Sequence, residues 1–218
     1  MFKLDAGQAK AYDQRGGYIN EAGKYSGHIE SAVWHVKNGQ NGQSQGIFLN
    51  FVSDTKQKAR FYINTSYHGG TVNEGGCKLI HAILACLRMR ESGDPVPTQV
   101  KEYNPDTRQE ETVTRGCFIQ LHNKPLGIVV QMVHEDGRDN PSPAIYSVFE
   151  PASEMTASEI LGKATEPVQL GKVMAYIAEK PLNDRRKNGG QTPHPPQRQA
   201  APQGQPQPVD DIDDDIPF

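Results

Sequence analysis

The sequence predicts a mainly β domain, a small Greek-key barrel with one helix after its third strand, followed by a disordered acidic tail. Three observations carry this. Two short segments rich in Phe, Ile and Val, with apolar residues alternating along them, stand close together between residues 46 and 67. A helical stripe follows at residues 77–90, and strand-like segments then resume. From Pro181 the composition turns abruptly to Pro, Gln and Gly, and residues 209–218 hold five aspartates with no basic residue.

In chain order, Lys24 to Lys37 reads as one long strand, and Asn38 to Gln45, with two Asn-Gly pairs, as a polar loop. Gly46 to Ser53 and Lys58 to Tyr67 are the next strands, separated by Asp54-Thr55-Lys56-Gln57, so the first three strands form a meander. Cys77, Ile80, Leu84 and Leu87 recur at three- and four-residue steps and predict a helix over 77–90, whose basic end, Arg88 and Arg90, suits the negative pole of its dipole. After Pro95 and Pro97, strands are expected at Thr98–Tyr103, Thr112–His122, Leu126–His134 and Ala144–Phe149, with turns at Asn104-Pro105-Asp106 and Asn123-Lys124-Pro125. Thr156-Ala157-Ser158-Glu159 is a capping box opening a short helix, and Gln169 to Lys180 is a further helix. This order is compatible with a five-stranded OB-fold barrel carrying an extra hairpin and C-terminal helices, though not unique to it. The folded domain is therefore placed at residues 1–180.

Several classes of function are disfavoured. Apolar runs such as Gly127 to Val130 and Ile83 to Leu87 fall far short of the roughly 20 residues that a bilayer helix needs, and Met1-Phe2-Lys3-Leu4-Asp5 has no secretory pattern, so no membrane partner is expected. Three cysteines, Cys77, Cys86 and Cys117, leave an odd thiol under any pairing and point to a reducing, cytoplasmic setting. Cys77, His81, Cys86 and His68 lack the spacing of a zinc site, so buried free thiols are expected, with no metal or other cofactor. Glu135-Asp136-Gly137-Arg138-Asp139 is ordinary turn chemistry rather than a nuclease centre, and no Gly-x4-Gly-Lys-Ser/Thr loop occurs. An enzyme is not expected.

The whole chain is nearly neutral, with 23 Lys and Arg against 26 Asp and Glu, but its end is not. Residues 181–208 contain seven Pro, six Gln and three Gly, a composition that cannot bury enough apolar surface to offset its ordering entropy, and they are read as a disordered linker. Beyond it, residues 209–218 place aspartates before Ile216, Pro217 and Phe218. A terminal ring and carboxylate on one residue fit a greasy pocket with a basic rim, while the aspartates steer toward basic surfaces.

The order of parts, a folded region, a Gln/Pro/Gly-rich linker and a terminal Asp213-Asp214-Asp215-Ile216-Pro217-Phe218, resembles the single-stranded DNA-binding proteins of bacteria and their phages, most nearly a divergent phage-type member. The resemblance implies an OB-fold that coats single-stranded DNA without marked sequence preference, homo-oligomeric assembly, and a tip that docks on replication, recombination and repair enzymes. A recombination mediator or strand-annealing protein with a similar tip is the alternative, and a nuclease recruited by it a more distant one.

Sequence-tolerant binding of single strands needs π faces for bases and cations for phosphates. Period two splits the third strand into a face with Phe61, Ile63 and Tyr67 and a face with Lys58, Arg60, Tyr62 and Asn64, and the second strand leaves Phe48 free to join Arg60 and Tyr62. The candidate DNA contacts are thus Phe48, Lys58, Arg60 and Tyr62, with Lys56 in the adjoining turn and Trp34 and Lys37 on the first strand. Lys101, Tyr103 and Arg115 join them because the hairpin that carries them stands where OB-folds commonly grip their strands.

Overall fold

Strand β1 runs for seventeen residues, Gly23–Gly39, and its length organises the fold. The computed structural model describes residues 16–39, 42–104 and 107–187. β1 is followed by β2 (Gly42–Ser53), β3 (Lys58–Ser66), α1 (Glu74–Cys86), β4 (Val96–Asn104), β5 (Gln109–Cys117), a single 3-10 turn at Ile119–Leu121, β6 (Pro125–His134), β7 (Ser142–Phe149), α2 (Ala157–Leu161), α3 (Gln169–Glu179) and β8 (Leu182–Asp184). At about 3.3 Å per residue β1 spans roughly 55 Å, enough to serve several partners in succession. One edge pairs with β2 from Gly27 to Gly39. The other pairs with β6 over Gly23–His28 and, further on, meets β5 at Val33 and Cys117. All strands belong to one eight-stranded sheet, antiparallel except where β8 joins β6.

β1 changes face partway along. Ile29 pairs with Phe51 and Ser31 with Asn50, leaving Glu30 as a bulge residue without its own partner. Ile29 before the bulge and Ala32 and Trp34 after it therefore all turn to the same, inner side, although their numbers differ in parity. The inner faces of β1, β2, β3, β6 and β7 and the apolar face of α1 share one core, in which Ile29, Phe51, Leu49, Ile83, Leu126 and Ile128 are almost wholly withdrawn from water. Each such side chain contributes roughly 1.5–3 kcal/mol by burial.

β6 is buried on both faces, which accounts for its nearly unbroken apolar run. Ile128 and Val130 face the main core, while Val129 joins Phe149, Leu170 and Ile177 in a second cluster under α3. Gly127 sits where the Phe149 ring crosses the strand, and a Cβ there would run into that ring. Glu159 fastens the same region. Its carboxylate accepts the backbone N–H and hydroxyl of Thr156 at 2.9 and 2.8 Å and the N–H groups of Val168 and Gln169 at 2.6 and 2.7 Å. One side chain thereby completes the capping box of α2 and satisfies donors that the start of α3 leaves orphaned. Burial alone would raise the Glu159 carboxyl, but these bonds hold it down at about 2.

Several boundaries differ from the sequence reading. Asn38 and Gln43 to Gln45, expected in a loop, lie in the β1–β2 ladder, because a hairpin beyond the core needs backbone pairing and not apolar side chains. α1 begins at Glu74 rather than Cys77, with the Asn73 side chain accepting the Gly76 N–H at 3.2 Å, and ends at Cys86 rather than Arg90. Arg88 stops it in a left-handed conformation, φ 54°, where its N–H and that of Met89 bond back to Ala85 and Leu84, and its guanidinium makes a two-pronged pair with Glu150. The strand expected to run to His122 ends at Cys117, where the 3-10 turn takes over. Residues Leu182–Asp184, assigned to the linker, form β8: β1 stops pairing with β6 at Val130, and the open edge at Met132–His134 takes up the returning chain. Residues 188–218, the rest of the linker and the Asp213–Phe218 tip, lie outside the described residues.

Candidate nucleic-acid interface

Strands β2 and β3 alternate as their sequence predicts. Ile47, Leu49 and Phe51, with Ala59, Phe61 and Ile63, are buried, which turns Phe48, Asn50, Lys58, Arg60, Tyr62 and Asn64 to the outer face of the sheet. Phe48 and Tyr62 are direct cross-strand partners, their rings 4.9 Å apart at 44°. His35 of β1 completes the set edge-on, 4.8 Å from Phe48 and 5.8 Å from Tyr62. The Arg60 guanidinium lies 4.0 Å from the centre of the Phe48 ring, a cation–π contact worth about 0.5–1 kcal/mol in the open.

The cluster is built on a glycine. A Cβ on Gly46 would come within 2.7 Å of the Tyr62 ring, so the ring rests directly against the β2 backbone. Tyr62 is 44% exposed even so. Partial burial raises its phenol above the ordinary value, opposed by a hydrogen bond with the Ser44 hydroxyl, and it is therefore neutral at physiological pH. Beside the three rings, Lys37, Ser44, Asn64, Tyr67 and His68 wall a groove of about 330 Å³. His68 Nδ1 stands 3.1 Å from the Gly42 carbonyl oxygen, which ties this end of the groove to the β1–β2 hairpin.

The β4–β5 hairpin arches over this face. Sheet order is β3-β2-β1-β5-β4, yet Glu102 of β4 reaches Arg60 of β3 at 3.5 Å, so the hairpin must curl across the strands between them. Glu102 also takes two hydrogen bonds from Arg115 of β5, at 3.1 and 2.9 Å. On the hairpin, Val100, Glu102, Val113 and Arg115 share the side turned to the sheet.

Of the sequence candidates, the structure brings together Phe48, Arg60, Tyr62 and Lys37, with Arg115 joined to them through Glu102. Lys58 is on the same face but paired with Glu30 at 3.6 Å. Lys56 sits in the β2–β3 turn with φ 67°, at the far end of the strands from the groove. Trp34 does not join. The bulge at Glu30 turns it inward, where it packs edge-on against Phe118 at 5.7 Å. Lys101 and Tyr103 alternate with Glu102 and so occupy the hairpin's opposite side, Tyr103 62% exposed. Tyr67, placed by alternation on the face of Phe61 and Ile63, lies past the end of β3 and is exposed. His35 and Ser44 are not among the sequence candidates, and His68 is weighed there only as a zinc ligand; His35 shares parity with Val33 and Lys37, a signal that the bulge conceals.

Cys77, Cys86 and Cys117 are free, and burial, reinforced by Glu150, pushes the Cys86 thiol up to about 12. Among the described residues no group of three His, Cys, Asp or Glu could hold a metal ion, and no helix is long and apolar enough to cross a membrane. A scan of protein-family models and a search of curated proteins find no match to the chain.

Proposed function

We propose that this chain binds single-stranded DNA along the outer face of β1, β2 and β3. The observation that carries the reading is the set His35, Phe48 and Tyr62 with Arg60 against the Phe48 ring: aromatic faces and a cation together on the solvent side of a sheet. Bases stack on such rings whatever their identity, at about 1–3 kcal/mol each, and guanidinium groups neutralise phosphates. Strand order supports the reading. Setting the β4–β5 hairpin aside, the circuit β3-β2-β1-β6-β7, with α1 packed on β3 and β7, is compatible with a five-stranded OB barrel, a fold whose middle strands bind oligonucleotides. The β4–β5 hairpin is then an insertion that covers the binding face.

The acidic tip, Asp213 to Phe218, recruits enzymes of replication, recombination and repair to the coated strand, by steering with its aspartates and anchoring with Ile216, Pro217 and Phe218. Titration of the intact chain with labelled oligo(dT) and with duplex of equal length tests the proposal. Tight binding to oligo(dT), much weaker binding to duplex, and an affinity that falls with salt by about 0.7 in log–log slope per neutralised phosphate are expected. Equal affinity for both, or none for oligo(dT) at low salt, overturns it.

A further inference from the structure

Two guanidinium groups from separate strands converge on one of the protein's own carboxylates, and one of them also rests against the aromatic cluster. Arg115 sends Nε and Nη2 to Oε2 of Glu102, and Arg60 sends Nη2 toward Oε1. The Glu102 side chain is only 21% exposed, whereas Arg60 and Arg115 each keep close to half of theirs in water. Glu102 stands directly opposite Glu111 on the hairpin, and the two arginines supply the opposite charge on the Glu102 side. Arg60 is also the residue packed against the Phe48 ring, so the same cation belongs to the stacking platform and to the carboxylate.

A carboxylate presents two oxygens on one centre, as does the non-bridging pair of a phosphodiester, and paired guanidinium groups bind either. Resting on the reading of this face as a single-strand interface, we infer that the Arg60–Arg115 pair is a seat for a backbone phosphate, that Glu102 occupies it in the free protein, and that the incoming strand displaces Glu102 and releases the β4–β5 hairpin from the sheet. Binding then exchanges one anion for another. The salt dependence of the native protein consequently understates by about one the number of phosphates it contacts, since one of the pair's two positive charges is balanced by Glu102 before DNA arrives.

The test compares the intact wild-type chain with Glu102→Gln and with Glu110→Gln, which removes the same charge from the hairpin's other side, opposite Tyr103. Each is titrated with labelled oligo(dT) between about 50 and 200 mM salt. Glu102→Gln is expected to bind roughly tenfold tighter at low salt, with a slope steeper by about 0.7, equivalent to one further phosphate. Glu110→Gln should change affinity less than about twofold, and an Arg60→Ala change added to Glu102→Gln should erase most of the gain. Equal gains in the two Gln variants would reduce the effect to bulk charge and overturn the inference, as would no gain in Glu102→Gln. Should the wild type ignore oligo(dT) altogether, the interface itself is what fails. A measurement on the unmodified protein guards against a variant that does not fold: the NMR resonance of the Arg115 Nε–H, bonded to Glu102, must shift when oligo(dT) is added, and an unmoved resonance at saturation overturns the inference equally.

Discussion

Truncating Tyr62 to alanine is the most direct perturbation of the proposed interface. Its ring projects from β3 on the side away from the core, while Phe61 and Ile63 hold the strand from within, so the cost to stability should stay under about 1 kcal/mol. The cost to binding should be larger. A stacked base is worth about 1–3 kcal/mol, and Tyr62 also props Phe48 and His35 through ring contacts. The upper half of that range applies, a loss of about 2–3 kcal/mol or roughly 30- to 150-fold in Kd. Tyr62→Phe keeps the ring and loses only the hydroxyl that meets Ser44, and less than about a threefold change is expected. Anisotropy titration with labelled oligo(dT) at fixed salt measures both variants, with thermal melts as the control for folding. If Tyr62→Phe were as damaging as Tyr62→Ala, the hydroxyl and not the ring would carry the contact. Unchanged binding in Tyr62→Ala would refute stacking at this face.

Two changes away from the site test the packing. Glu159→Gln removes the charge that accepts four hydrogen bonds and turns an amide N–H₂ toward at least one donor; a loss of about 2–4 kcal/mol at pH 7 is expected in urea denaturation. Because the folded carboxyl titrates at about 2, below its ordinary 4.5, this stabilisation is complete above about pH 4.5 and fades as the pH falls toward 2, so the gap between wild type and variant should narrow at pH 3. Gly127→Ala and Gly171→Ala should have opposite signs. The first drives a methyl into the fully buried Phe149 ring and should cost about 3 kcal/mol or more; the second meets open space on a helix and should stabilise by about 0.5–1 kcal/mol, both read from thermal melts.

Where local periodicity decides the outcome, the fold was readable. The faces of β2 and β3 follow from alternation alone, which is why Phe48, Arg60 and Tyr62 group together from the sequence, and the Thr156–Glu159 capping box declares itself by spacing. β1 was not readable in the same way: with Glu30 bulged out, Ile29 and Trp34 reach the core from positions of opposite parity, so neither face looks apolar in a simple count. For that one reason a count of alternation does not show that Trp34 turns to the core and His35 to the outer face. The Glu102 contact with Arg60 depends on a hairpin curling over strands 42 residues away in sequence, and no local pattern reports it. β8 stayed hidden because Leu182–Asp184 is held by backbone bonds to an open edge, a role any non-proline residue can fill.

The bulge in β1 lets the strand carry one residue more than its ladder uses. Were Glu30 deleted with the pairing to β2 kept, Ser31 would still stand opposite Asn50, Ala32 opposite Leu49 and Trp34 opposite Ile47, so Trp34 would stay inward and His35 outward. Alternation would then run unbroken from Ile29, and what would go is the local kink together with the carboxylate that pairs with Lys58. The extra residue is thus a free parameter of the scaffold: it bends a long strand and tempers one cation while every ring keeps the side of the sheet on which it stands.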